Sequence, residues 1–155
     1  MPTTLHTELR QRKPFASIEQ EAMLSIARTA ALLEHGAAEV LKPHGLTPTQ
    51  FNALRILRGA GPEGLCRNEV RDRLIARVPD ATRLLERLCE MGLVVREREG
   101  QDRRFVRARI TRAGLELLDA LDGVMLGLHR RQLGHLGESK LRALVELLAE
   151  VRDGS

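Results

Sequence analysis

The stretch GLVVREREGQDRRFVRARITRAG, residues 92–114, is where the hydrophobic period of this chain changes. Before Gly92 the apolar residues recur every three or four positions. After it, Leu93 to Arg98 reads as a strand and Glu99-Gly100-Gln101-Asp102 as a turn. From Arg104 to Ile110, apolar Val106, Ala108 and Ile110 alternate with Phe105, Arg107 and Arg109. This pattern predicts a β-hairpin with one face packed on a domain. The same stretch sets seven arginines (Arg96, Arg98, Arg103, Arg104, Arg107, Arg109, Arg112) against three acids, Glu97, Glu99 and Asp102. A solvated face usually mixes signs, so concentrated positive charge points to a negative partner, most commonly nucleic acid. The plainer account is composition, because the chain uses far more Arg than Lys throughout. The elements around the hairpin have to decide.

Immediately upstream, Pro79 opens a helix in which Ala81, Leu84, Leu85 and Leu88 lie at i, i+3, i+4 and i+7. Pro79, Arg83, Glu86 and Glu90 take its opposite face, and Gly92 ends it. Asn68 to Ile75 predicts a short helix burying Val70 and Leu74. Thr47-Pro48-Thr49-Gln50 is a helix start: Thr47 can cap, Pro48 has the φ of a first helical position and Gln50 can reach back. Phe51, Leu54 and Leu57 form that helix's buried stripe, and Gly59, Gly61, Pro62 and Gly64 a loop after it. Ser17 with Gln20 is a second capping pattern. It opens a long helix to about Lys42 with apolar Ala22, Ile26, Ala30, Leu33, Ala37, Val40 and Leu41, stopped by Pro43 and Gly45. Residues 1–15 read as a polar arm or short irregular lead.

Downstream of the hairpin, Thr111 caps a helix carrying Leu115, Leu118, Leu121 and Met125. Gly134 and Gly137 break the pattern, and a last helix over about Glu138 to Arg152 repeats Leu141, Leu144, Val145 and Leu148. The fold class is mainly α with a small β-hairpin: a helix-turn-helix followed by a wing, flanked by further helices. A helix exposed near its N-terminus suits a major groove, which is about 12 Å wide in B-DNA. The arginines of the hairpin then read as a wing for phosphate neutralisation and for a narrow minor groove, whose negative potential attracts Arg.

At this point the chain resembles the MarR family of bacterial regulators, over nearly its whole length after residue 16. The motifs are Leu46-Thr47-Pro48-Thr49-Gln50-Phe51, Thr82-Arg83-Leu84-Leu85-Glu86-Arg87-Leu88 in the recognition helix, Gly92-Leu93-Val94-Val95-Arg96 entering the wing, Asp102-Arg103-Arg104 near its tip, and Ile110-Thr111-Arg112-Ala113-Gly114 after it. The resemblance implies one MarR-like domain over 1–155, with 46–111 as the winged helix-turn-helix and 1–45 and 112–155 as dimerisation helices. It implies a homodimer on an inverted-repeat operator in double-stranded DNA, usually a repressor, responsive to a small ligand. The chain departs from the family at Val78-Pro79-Asp80-Ala81-Thr82, where family recognition helices often begin with a serine and further hydroxyls, so base readout does not carry over in detail.

The candidate DNA-binding residues are Arg67, Asp80, Thr82, Arg83, Arg87, Asp102, Arg103 and Arg104. Arg83 projects from the exposed face of the recognition helix near its start, where Thr82 belongs to the same motif. Arg87 has an alternative in an i, i+3 pair with Glu90. Asp80 reads better as a helix N-terminal charge than as a base reader. Asp102 and Arg104 resemble the wing motif in which the acid holds the arginine for the minor groove. Arg103 and Arg67 are phosphate candidates, with solvated side chains as the plain alternative. The resemblance also suggests an effector cleft where the first, second and fifth helices meet. There Arg28, His35, His44, Phe51 and Arg55 are candidates to hold an anionic aromatic ligand, Phe51 as its apolar wall; ordinary core for Phe51 is the competing reading.

Other classes fare worse. At 155 residues with 43% hydrophobic and 30% charged residues, a formal net charge of +4 and three Phe as the only aromatics, the chain reads as one globular domain without base-stacking platforms for single strands. The N-terminus lacks a signal-peptide pattern and no run is apolar enough to cross a bilayer, so a cytoplasmic protein is expected, with no membrane partner. Cys66 and Cys89 make no disulfide framework, and neither is placed or surrounded as a peroxide-sensing cysteine of the family would be. The five histidines, His6, His35, His44, His129 and His135, lack compact metal-ligand spacing. No metal, cofactor or catalytic constellation is expected, and the chain reads as no enzyme. The competing function is a winged helix serving only as a protein-interaction adaptor, which salt-indifferent or absent DNA binding would reveal.

Overall fold

Hydroxyl caps start the long helices where the sequence puts them. The computed structural model describes residues 3–98 and 106–155. In it, Ser17 Oγ accepts from Gln20 N at 3.1 Å to open α2 (Ile18–Leu41). Thr47 and Gln50 close a reciprocal capping box at 3.2 and 3.0 Å to open α3 (Pro48–Ala60). Thr111 Oγ1 accepts from Gly114 N at 3.1 Å to open α6 (Arg112–Leu133). Each oxygen satisfies an N–H that has no partner inside its own helix. A one-turn helix, α1 (Leu5–Glu8), lies in the lead read as irregular. The remaining helices are α4 (Arg67–Arg73), α5 (Ala81–Glu90) and α7 (Glu138–Asp153).

The hairpin is formed by β2 (Val94–Arg98) and β3 (Val106–Ile110), antiparallel, with Val94 opposite Ile110 and Arg98 opposite Val106. A third strand, β1 (Leu65–Cys66), pairs with the other edge of β3, Leu65 opposite Ala108, giving the order β1-β3-β2. The sequence reading had only a loop there. Two residues are too few to show an alternating pattern, and the pairing rests on a contact more than forty positions away. Gly64, at φ +67°, turns the chain into this strand; a Cβ there would collide with the carbonyl oxygen of Ala108.

Two helix boundaries differ from expectation. α4 ends at Arg73, although Val70 and Leu74 are buried as expected. α5 begins at Ala81, because the Asp80 carboxylate caps it by accepting from Thr82 N at 2.8 Å. Pro79 therefore precedes the cap instead of filling the first helical position.

The core is one cluster in which Leu54 and Leu57 of α3, Val70 of α4, Leu85 and Leu88 of α5, Val94 of β2, Ala108 of β3 and Leu118 and Leu121 of α6 meet, closed by Leu41 at the end of α2. The outer helices are different. Of the apolar stripe expected on α2, only Leu41 is buried, while Ala22, Ile26 and Ala30 are exposed. α7 buries no residue at all, and its Val145 is 65% exposed. On α6, Leu118, Leu121 and Met125 face the core but Leu115 does not.

Candidate nucleic-acid interface

The candidate recognition element, α5, begins with its hydrophobic stripe. Ala81, Leu85 and Leu88 are buried and Leu84 half-buried, which pins one side of α5 to the core and turns Arg83, Glu86, Arg87 and Glu90 outward. Arg83 stands in the first turn with no ion pair among the described residues. Arg87 Nη1 lies 3.5 Å from Glu90, the i, i+3 pair the sequence offered as its alternative. Thr82 is drawn inward: its hydroxyl accepts from Arg67 Nη1 at 3.2 Å, so the starts of α4 and α5 are bridged. Asp80 is held below the usual carboxylate range by the hydrogen bond from Thr82 N, with Arg67 and Arg83 adding to the effect. Arg67, Asp80, Thr82 and Arg83 are thus brought together around the N-terminal end of α5. Asp80 acts there as its cap, and Arg67 is already engaged.

The wing accounts for the arginine-rich stretch only in part. Arg109 Nη1 donates to Glu97 Oε2 at 2.8 Å, a diagonal pair across β2 and β3. Arg107 Nη1 reaches the carbonyl of Gly64 at 3.4 Å. Arg96 stands 4.0 Å from Glu86, tying the wing's base to the recognition helix. Arg112 pairs with Glu116 at 3.1 Å, one turn along α6. Arg96, Arg107 and Arg109 are thus half-buried against their own fold while Arg112 stays exposed, a correction to the reading of the whole stretch as a DNA-facing wing. Arg98 is exposed and has no ion pair among the described residues. Asp102, Arg103 and Arg104 lie outside the described residues.

The sequence profile of the MarR family matches residues 44–104, which begin just after α2 and include α3, α4, α5 and β2. The chain is 31% identical over 115 residues to YkoM of Bacillus subtilis (strain 168), an uncharacterised HTH-type transcriptional regulator, across 71% of this chain and 73% of that one. The chain belongs to the MarR family. The solved structure of a MarR transcription factor from Planctomyces limnophilus is 40% identical and superposes with a TM-score of 0.69 over 88% of this chain and 98% of that one. MepR of S. aureus, solved in complex with DNA, shares the fold at 20% identity, with a TM-score of 0.75 over 92% of this chain and 100% of that one. As a MarR protein, the chain is a helix-turn-helix, DNA-binding transcriptional regulator and not an enzyme.

The residues suggested for a MarR effector cleft lie on α2, on the turn after it and on α3. Phe51 is 7% exposed and belongs to the core cluster. Arg28 on α2 lies 3.9 Å from Glu8 of α1. His35 on α2, His44 after it and Arg55 on α3 are exposed. Cys89 is half-buried, and burial pushes its thiol pKa up, which suits packing better than reactivity. Among the described residues no helix is long and apolar enough to cross a membrane.

Sequence reasoning missed the basic turn beside α5. Arg71 and Arg73 end α4, and Arg77 lies in the segment 74–80 that leads to the recognition helix; all three are exposed. Their spacing was visible, but which way they point depends on where α4 stops.

Proposed function

We propose that this MarR regulator binds an inverted-repeat operator in double-stranded DNA as a homodimer and represses transcription until a small ligand releases it. Residues 46–111 form the reading head, and residues 1–45 and 112–155 the dimerisation helices. The observation that carries the proposal is the combination of an outward Arg83 on the first turn of α5 with a helix, α7, that buries none of its residues. A helix of 16 residues gains little stability without packing, so the apolar Val145, Leu147 and Val151 call for a cover. A second copy supplies it by two-fold symmetry and sets two recognition helices about one DNA turn, roughly 34 Å, apart.

In this reading Arg83 contacts base edges and Arg87, held by Glu90, contributes less. Arg67 meets a phosphate from its bridge to Thr82, Asp80 fixes the helix start, and Arg103 and Arg104 at the wing tip meet phosphate and minor groove, Arg104 oriented by Asp102. For the ligand, the exposed side chains of Arg28, His35, His44 and Arg55 suit an anionic aromatic compound, while Phe51 supports the site from the core. Such a ligand acts only by favouring one orientation of the two heads, and a tenfold loss of DNA affinity needs about 1.4 kcal/mol of preference. Light scattering combined with DNA titration over a range of salt tests the proposal. A dimer whose affinity falls steeply with salt is expected; a monomer, or salt-indifferent binding, contradicts it.

A further inference from the structure

The segment between α4 and α5 is built as an outward-facing ledge. Leu74 is buried at one end and Val78 packs on the core at the other. Between them, Ile75 N donates to Asn52 Oδ1 of α3 at 2.9 Å, which pins the turn. Ile75, Ala76 and Arg77 are nevertheless all exposed, Ile75 at 89%. A pinned turn that holds an isoleucine out of the core has an unused apolar contact.

The charge of this region is also unbalanced in a specific way. From Arg67 to Arg83 there are five arginines (Arg67, Arg71, Arg73, Arg77, Arg83) and three acids. Two of the acids are spent on backbone: Glu69 accepts from Cys66 N at 2.8 Å and Asp80 from Thr82 N at 2.8 Å. The third, Asp72, accepts from Arg71 Nε and Nη2, both at 3.2 Å. Arg77 has no ion pair among the described residues. Two concavities flank Arg71. One, of about 320 Å³, reaches Arg67 and the residues before α5; the other, of about 360 Å³, has Ile75 and Arg77 on its wall. Arg67 and Arg71 line the first together with Asp80, and Arg71 and Arg77 the second together with Asp72; the first reaches Ala81 at the start of α5.

We propose that this ledge is a separate DNA-contact element: Arg71 and Arg77 clasp a backbone phosphate of the strand bordering the major groove that α5 enters, and Ile75 packs against the adjoining sugar. The element rests on the proposed DNA-binding role of α5, and is distinct from α5 and the wing. Guanidinium forks match phosphate oxygens, and phosphate contacts position a protein without reading sequence. Its signature is therefore a loss of affinity shared by all duplexes.

The test uses the full-length protein with two duplexes of equal length: one carrying the sequence the parent selects, the other unrelated. Arg71→Gln, Arg77→Gln and Ile75→Glu are each compared with the parent, with the melting temperature expected to stay unchanged because all three side chains are exposed. For Arg77→Gln the slope of log affinity against log salt becomes shallower by about one per protomer, and for Arg71→Gln, whose guanidinium already shares itself with Asp72, by less; in each case both duplexes lose affinity by the same factor. Ile75→Glu, which sets a carboxylate beside the phosphates, weakens both duplexes as well. A parent that binds duplex DNA with Arg71→Gln and Arg77→Gln unchanged in affinity and slope overturns this proposal alone. Loss confined to the selected sequence also overturns it, by making the ledge a base reader. A parent that binds neither duplex overturns both this proposal and the DNA-binding role on which it rests.

Discussion

Arg58 meets Asp122 as a two-pronged fork: Nη1 donates to Oδ2 at 2.8 Å and Nη2 to Oδ1 at 3.0 Å, with Asp119 3.8 Å from the same guanidinium. The pair joins α3, at the centre of the reading head, to α6, the long helix that leaves it. The hydrogen bonds from Arg58 hold Asp122 below the usual carboxylate range, and the same contact raises the Arg58 pKa. A parallel fork fixes direction as well as distance, so it constrains how the head sits on α6.

Asp122→Asn is expected to lower stability by about 0.5–1 kcal/mol at neutral pH, the scale of a partly exposed pair of good geometry. The sign of the pH effect follows from the lowered pKa. The contribution of the fork is fully present above the ordinary Asp range and is lost as pH falls through the lowered folded-state value. Melting curves of parent and variant should therefore converge in acid and separate towards neutrality. A gap that widens in acid would contradict the assignment.

Arg83→Ala is expected to cost about 1–3 kcal/mol of operator affinity and to relax base preference, as loss of a bidentate base contact does. Arg87→Ala should cost less, because that guanidinium already shares itself with Glu90. Competition titrations with single-base operator variants separate the two; equal effects would remove the distinction drawn between them.

Gly64→Ala is expected to destabilise the wing's base. The residue has φ +67°, and an added methyl would strike the Ala108 carbonyl, so β1 must move off β3. Strain of this kind costs about 2 kcal/mol, or roughly 4–8 °C in melting temperature for a chain of this size. A thermal melt that matches the parent would show that the approach of β1 to β3 is looser than described.

Val145→Glu together with Leu147→Glu should convert a dimer to monomers and reduce helical circular dichroism, because α7 buries no residue within the chain and leaves these two exposed. The reading head, whose core lies elsewhere, should keep a cooperative melt. Retained dimerisation at micromolar concentration would locate the interface away from α7.

Much of this was legible locally. Ser17, Thr47 and Thr111 announce their helices because a cap is a contact among neighbours in sequence, and Leu85 and Leu88 declare the buried side of α5 by spacing alone. Contacts between distant residues left no such trace. β1 is two residues long and exists through Ala108. The partners of Arg96, Arg107 and Arg109 are set by where β2 and β3 pair and by how the wing leans on α5, so a charge count over 92–114 overstated how many arginines face outward. The start of α5 was misjudged by two residues because a proline at the first helical position and a proline before an Asp cap look alike in sequence. Arg77 escaped notice because its direction depends on the end of α4. The effector candidates were chosen by resemblance, and the single-chain geometry leaves them spread over α2, the turn after it and α3.

The central claim, that this MarR protein reads duplex DNA two-fold symmetrically through α5, is tested most directly by selecting bound duplexes from a random-sequence pool with the purified protein and sequencing them. The account predicts enrichment of an inverted repeat whose half-sites lie about one helical turn, roughly 10 base pairs, centre to centre, with the preference reduced in Arg83→Ala. Enrichment of a single asymmetric site, or recovery of the pool unchanged, would contradict it.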